Sequence, residues 1–275
     1  EAPPLVHDED AVEVVLAISA MMGAKPVPAM QAMRKTVVDG SNTSGFQRTT
    51  LVSTNGTIAT PSGDVGIAVV CLEEDSARKL DSDVTPNGEV VTYTLDRLGV
   101  PLVEIATEPD IISPEHAKET AFALGTLLRD TRRVRRGLGS IRQDLNVSIA
   151  CGDRVEIKGC QDLEWIPKII RLEMARQLHM YRLANELRGE LGLPLLPPDR
   201  RKTERPVESR VALAAQSKIP LEIHDVSNRL SGCDSRRVTD SLERGDKTLC
   251  VALPGFSGKL GSKKEDSDGA QPPRL

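Results

Sequence analysis

The sequence predicts an α+β protein built on an antiparallel sheet. Strand-like runs rich in β-branched and apolar residues crowd residues 33–106. Two helix-length apolar stripes follow, at 114–129 and 166–188, and Gly, Asn and Pro punctuate the runs. At 275 residues, with 39% hydrophobic and 28% charged side chains, the chain can bury a real core in one large or two modest domains.

Taken in order, residues 8–23 place Val12, Val15, Leu16, Ser19 and Ala20 at helical spacing, with Asp8 as the cap and Gly23 as the stop. Met33–Val38 reads as a strand, Asp39–Gly45 as a Gly/Ser/Asn loop, and Phe46–Thr49 as the next strand. Leu51–Ile58 reads as a hairpin around an Asn55-Gly56 turn. Val65–Leu72 is an apolar strand running into Glu73-Glu74-Asp75, and 90–95 and 100–106 are further strands. Ser113-Pro114-Glu115 opens a helix with a capping Ser and a Pro at the first helical position. A hairpin is expected from 140–149 and 154–158. A long amphipathic helix then opens at Pro167, with Ile166, Ile169, Ile170, Met174, Leu178 and Tyr181 on one stripe. Residues 191–206 read as a linker, 207–260 as part of a small α/β unit whose best helix is 236–244 and best strand 248–253, and 261–275 as a disordered tail.

The net charge is −4, so any nucleic-acid contact has to be local. One Trp, two Tyr and three Phe are too few for an aromatic stacking platform. Five cysteines without a C-x-x-C fit a reduced, cytoplasmic compartment and support neither a disulfide framework nor a zinc site. No apolar run approaches the length of a membrane span, and no signal peptide is visible. The sequence begins at Glu1 and runs at once into a helical pattern, so it is expected to be a piece of a longer chain.

The polar residues group into candidate sites. Side chains alternate across a strand, which puts Arg142, Asp144, Asn146 and Ser148 on one face of the 140–158 hairpin, with Arg154, Glu156 and Lys158 on the return strand. Carboxylates and amides suit a hard cation, and Arg and Lys suit phosphate. The same face also fits a solvated sheet with cross-strand ion pairs. Glu73, Glu74 and Asp75 repel one another unless cations lie close, which fits a magnesium site or the exposed start of a helix. The Asp39–Arg48 loop, with Arg34, Lys35 and Arg48 on its flanks, fits an anion nest or a plain surface turn. Neither a P-loop nor a G-x-G-x-x-G occurs. Glu104 sits in a nearly all-apolar strand, where burial demands a partner such as Arg97 or a role at a site. Arg129, Arg132, Arg133, Arg135 and Arg136 fit RNA phosphates or a solvated helix end.

Several long segments together resemble one family. These are Met33–Arg48 with its Asp-Gly-Ser-Asn-Thr-Ser-Gly-Phe-Gln-Arg run, Leu72–Ala77, Leu95–Ile105 with Pro109-Asp110, Arg136–Ile149 and Arg154–Gly159. Over roughly residues 8–190 the chain is similar to the archaeal E-type subunit of glutamyl-tRNA(Gln) amidotransferase, of the GatB/GatE family. Ile223–Ser227 and Leu253–Gly258 also resemble the start of an insertion domain shared with bacterial-type aspartyl-tRNA synthetases. The family's Gly-Leu-Glu-Ile-His-type motif and its C-terminal tRNA-holding domains are not found in this sequence.

The resemblance implies a cradle-like catalytic domain over 1–190, N-terminally incomplete, followed by part of the insertion domain. It implies an ATP- and magnesium-dependent ligase in which the γ-carboxylate of glutamate on tRNA(Gln) is phosphorylated and then amidated. Ammonia would come from an asparaginase-like D-type partner in a heterotetramer. Combined with the residue types above, it assigns Arg34, Lys35, Ser44, Gln47 and Arg48 to ATP and Glu73, Glu74 and Glu156 to the metal. Glu104, Arg142, Asp144, Asn146 and Lys158 are assigned to the chemistry. Glu74 is the expected main ligand. The alternatives are the B-type paralogue and a non-catalytic tRNA- or partner-binding fragment.

Overall fold

Asp8 accepts a hydrogen bond from the Ala11 amide and so caps the first helix, α1 (Glu9–Met21), as its position predicted. The computed structural model describes residues 5–85, 88–137, 139–199 and 222–253. They form two compact units, residues 1–144 with 158–168 and residues 145–157 with 169–275, each taken by itself below.

The first unit holds a five-stranded antiparallel sheet. Its strands are β1 (Lys25–Pro26), β2 (Ala32–Thr36), β3 (Phe46–Ile58), β4 (Val65–Glu74) and β7 (Pro101–Thr107). The order is β1-β3-β4-β7, and β2 pairs with the early part of β3. Two further strands, β5 (Arg78–Thr85) and β6 (Gly88–Thr94), make a separate hairpin. Val15 and Ile18 of α1, with Met22 at its C-terminal cap, pack on Val52, Ile58, Val65, Ile67, Val70 and Leu72. Leu124, Leu127 and Leu128 of α2 (Pro114–Asp130) border the same core. Ser113 caps α2, as expected.

Two readings for this unit fail, and one strand carries no clear sequence signal. Leu51–Ile58 is not a hairpin, because β3 runs unbroken from Phe46 to Ile58. Gly56 serves packing rather than a turn. A Cβ there would lie 3.0 Å from the Ala24 Cβ and 3.2 Å from the Met22 carbonyl oxygen. The preceding Asn55 takes the left-handed conformation at φ 56°, which Asn tolerates within a strand distortion as well as in a turn. Glu73 and Glu74 do not start a helix; they end β4. The strand β5 escaped the sequence reading because its alternation is broken by charged residues.

In the second unit the predicted hairpin is real but short. β8 (Leu145–Val147) pairs with β9 (Val155–Ile157), and 140–144 lies outside any strand. The burial alternates as expected, with Asn146 and Glu156 opposite one another and both exposed. Helix α3 (Ile166–Glu190) carries the clasp that holds the hairpin. The buried Gln177 side chain donates to the Val147 carbonyl at 3.0 Å and accepts from the Ile149 amide at 3.2 Å. An added Cβ at Gly152 would come within 2.1 Å of the Gln177 Oε1, so the turn needs glycine there. Gln177→Ala leaves buried backbone groups unpaired, and a loss of about 1–3 kcal/mol is expected. Urea unfolding checks the loss, and faster exchange of the Ile149 amide locates it.

The remaining described part of this unit pairs β10 (Ile223–Asp225) with β11 (Leu249–Val251), beside α4 (Ser227–Leu230) and α5 (Arg236–Glu243). The helix expected at 236–244 and the strand expected at 248–253 are present as α5 and β11. The linker's end at 200–206, all of 207–221, and 254–275 with the whole expected tail lie outside the described residues. No described helix is long and apolar enough to cross a membrane.

Candidate active site

Strand register, not sequence proximity, assembles the site. Lys35 pairs with Gln47 across β2–β3, Thr49 with Glu73 across β3–β4, and Cys71 with Glu104 across β4–β7. Period-two alternation therefore puts Lys35, Thr49, Glu73 and Glu104 on one face of the sheet. Arg48, Thr50, Leu72 and Glu74 point to the other, where the helices pack.

The two faces carry different charge groups. On the first, the Lys35 ammonium bridges both carboxylates, in direct contact with Glu73 and 3.2 Å from Glu104. The Thr49 hydroxyl donates to Glu73 at 2.9 Å. On the second, the Arg48 Nε donates to the Glu74 carboxylate at 2.7 Å. Thr50 hydrogen-bonds His7 on that face. Burial, then the Arg48 charge, holds His7 below its ordinary value. Glu74 therefore faces away from Glu104. Glu104 lies beside Glu73, because neighbours in a strand diverge. Arg97 is not the partner of Glu104 either; its Nε lies 3.8 Å from Asp75.

The carboxylate pair is polarised. Burial and then the negative charge of Glu73 push the Glu104 carboxyl above the usual range. Burial acts the same way on Glu73, but hydrogen bonds from Lys35, Thr49 and Glu104 outweigh it and hold Glu73 below that range. Burial works against the Lys35 charge, yet its two carboxylate partners raise it overall. Burial and Glu104 also raise the buried Cys71 thiol. Two like charges at this spacing do not both ionise freely, so Glu104 keeps its proton longer than Glu73.

This coupling has a titration signature. Glu73→Gln removes the charge opposing Glu104, so the Glu104 midpoint should fall toward the ordinary value of about 4.3. Carboxyl NMR titration reads it, and an unmoved midpoint would separate the two groups. The stability sign follows for Glu73. Its contribution is full above its unfolded value and is lost as pH falls through its lower folded value.

The other expected residues distribute as follows. Gln47 donates to the Glu74 carbonyl at 2.8 Å, and Arg34 lies 4.9 Å over the Phe46 ring. Ser44 donates to the Phe46 carbonyl. In the Asp39–Gly45 loop, the Ser41 amide is given to the Asp39 carboxylate and the Gly45 amide to the Asn42 carbonyl, so the loop uses these donors itself. The Ser41 hydroxyl and amide hold Asp39 below the usual carboxylate range. Arg142 reaches Asp75 at 3.4 Å, and Lys158 reaches Asp144 at 3.1 Å. Asn146 and Glu156 belong to the second unit. Thr49 carries no local signal in the sequence, and Asp75 stands out there only as part of the acidic cluster with Glu73 and Glu74. Only the register reveals Thr49, and Asp75 shows itself in being buried between two arginines.

Hard carboxylate oxygens are the donors that magnesium takes. No cluster of three or more metal-ligating groups occurs among the described residues. Of the carboxylates expected at the metal, Glu73 and Glu74 lie on opposite faces of the sheet, and Glu156 belongs to the second unit, so the structure does not set Glu74, the expected main ligand, beside Glu73.

Comparison with known proteins gives a consistent result. The GatB/GatE catalytic domain matches residues 2–255. The E-type subunit of glutamyl-tRNA(Gln) amidotransferase from Pyrococcus furiosus is 46% identical over 261 residues, covering 95% of this chain and 37% of that protein. Its counterpart from Aeropyrum pernix is 45% identical with the same coverage, and that from Methanocaldococcus jannaschii is 41% identical over 264 residues, 96% of this chain and 37% of that protein. The chain thus spans a little over a third of these relatives' length. A match this long, at these identities, means that the chain belongs to the GatB/GatE catalytic domain family.

Proposed function

We propose that this chain supplies the ATP-dependent catalytic part of an E-type amidotransferase subunit that converts Glu-tRNA(Gln) to Gln-tRNA(Gln). The observation that carries the reading is the Lys35 bridge between two carboxylates of opposite pKa shift at one end of the sheet. The glutamyl γ-carboxylate oxygen attacks the γ-phosphorus of ATP, and ADP leaves. Ammonia then attacks the acyl carbon of the γ-glutamyl phosphate. The C–O bond to phosphate breaks, and the ammonium proton passes to a base.

Each residue type fits a part of this chemistry. Phosphoryl transfer is mostly positioning and charge neutralisation, a task that falls to Lys35, while Arg34 and Arg48, paired across β2–β3, lie on the opposite face with Glu74. Magnesium, if bound, would be held by Glu73 together with water and phosphate oxygens and would supply neutralising charge. Glu104 is suited to take the proton shed by ammonia, because its carboxyl is held above the ordinary range. Gln47 and Ser44, whose side chains donate to the Glu74 and Phe46 carbonyls, are proposed to hold the Asp39–Gln47 segment in place. Arg142, Asp144 and Lys158, all in the first unit, are proposed to orient the glutamyl ester. The ammonia source would be an asparaginase-like D-type partner, the assembly a heterotetramer and the compartment the cytoplasm. The cradle shape and the insertion domain belong to the same proposal.

Hydroxylamine trapping tests the reading in the full-length protein. With ATP and Glu-tRNA(Gln), γ-glutamyl hydroxamate and ADP should form together. ADP without trapped hydroxamate would sink the acyl-phosphate route.

A further inference from the structure

We infer that residues 129–142 form an arginine track that grips the phosphate backbone of a duplex RNA. The inference rests on the tRNA reading above and names the surface that reading leaves open. The stretch carries six arginines and one acid, Asp130, in a chain whose net charge is −4. A local positive segment in an acidic protein is the electrostatic footprint of phosphate binding. The scarcity of aromatics selects a duplex over a stacked single strand.

The structure separates this track from a merely solvated helix end. Only Arg129 lies within the last turn of α2, where a cation favours the helix dipole. Arg132, Arg133, Arg135 and Arg136 all come after the helix, and all are exposed. Val134, between them, packs against the core of the first unit. That single anchor turns the flanking arginines outward. Arg133 is tied to Glu13 at 2.6 Å, which pins the segment to α1. The Arg132 and Arg135 side chains make no hydrogen bond or ion pair among the described residues. Arg132 also has φ 56°, a left-handed conformation that a glycine would adopt without strain. An arginine kept at such a position points to its charge.

The track also leads somewhere. Its far end, Arg142, contacts Asp75, the residue directly after Glu74 at the end of β4. RNA phosphates held along 129–136 would thus approach the end of the sheet that carries Lys35, Glu73 and Glu104. The class of ligand is a base-paired RNA arm with a reactive 3′ end, held by its backbone rather than by its sequence.

The test uses this chain and a fluorescent RNA hairpin of acceptor-stem length with a single-stranded 3′ end. Anisotropy is read across a salt series. Replacing Arg132, Arg135 and Arg136 together by Ala should lower the log-log salt slope by about 1 per arginine. The same three changed to Lys should keep the slope. Arg135→Glu alone, at a side chain the described fold does not use, should also weaken binding and lower the slope, with an unchanged melting temperature. An unchanged slope in Arg135→Glu and the triple Ala variant overturns the track. Tighter binding of an unpaired strand of equal length overturns the choice of a duplex. In the full-length enzyme, the triple variant should raise KM for Glu-tRNA(Gln) and leave hydroxamate formation at saturation intact. Lost turnover at saturation would instead put the arginines in the chemistry and overturn the track. Wild-type RNA binding through these arginines without any hydroxamate would sink the amidation reading and leave the track standing.

Discussion

Replacing Lys35 with Ala is expected to slow γ-glutamyl phosphate formation by about 10²–10³-fold in the full-length protein. Lys35 is the one cation in contact with both Glu73 and Glu104 among the described residues. Its loss leaves two carboxylates facing each other and removes fixed charge where phosphoryl oxygens would need it. RNA affinity should hardly change, because Lys35 lies outside the arginine track. Stability should also change little, since the Lys35 side chain is 45% exposed and pairs of that exposure contribute weakly. Lys35→Arg should recover only part of the rate. A planar guanidinium does not place its charge as a compact ammonium does. Hydroxamate trapping gives the rate, and anisotropy gives the RNA affinity. A pure loss of RNA affinity with unchanged trapping would make Lys35 part of an RNA surface instead.

Ile18→Ala is expected to cost the fold about 2–5 kcal/mol, the largest stability effect foreseen for a single core position. Ile18 is fully buried and meets the sheet through Val52, Val70 and their neighbours. Deleting its side-chain carbons leaves a cavity that the strands cannot close without breaking register. Urea unfolding should show a lower midpoint with an unchanged slope. A change at Leu80, which is 62% exposed on the β5–β6 hairpin, should stay within about 0.5 kcal/mol. If Ile18→Ala costs no more than Leu80→Ala, α1 is not part of the core that positions β3 and β4.

These two positions also mark the divide between what local spacing fixes and what the fold adds. The α1 pattern, its Asp8 cap, the Ser113-Pro114 start of α2 and the long stripe of α3 were all legible. Each is set by residues within one or two helical turns. The hairpin at 145–157 was legible in its alternation but not in its length. Nothing local marks where pairing stops once Arg142 is drawn to Asp75. The Asn55-Gly56 pair misled because the same dipeptide serves a turn or a tight helix-to-strand approach. Only Ala24 and Met22, distant in sequence, decide which.

The amino-acid sequence by itself determined the α+β class, the helix boundaries and the family likeness. It also held the stock of carboxylates, lysines and arginines from which a site had to be made. Those are properties of local spacing and residue type. Tertiary structure alone decided which carboxylates meet. Glu73 and Glu74 are adjacent in sequence, yet pleating sends them to opposite faces, one to Lys35 and one to Arg48. Glu104, far along the chain, joins Glu73 because β7 pairs with β4 in the register that sets Cys71 against Glu104. Register between distant strands is fixed by the shared core under them, and no window of the sequence contains it.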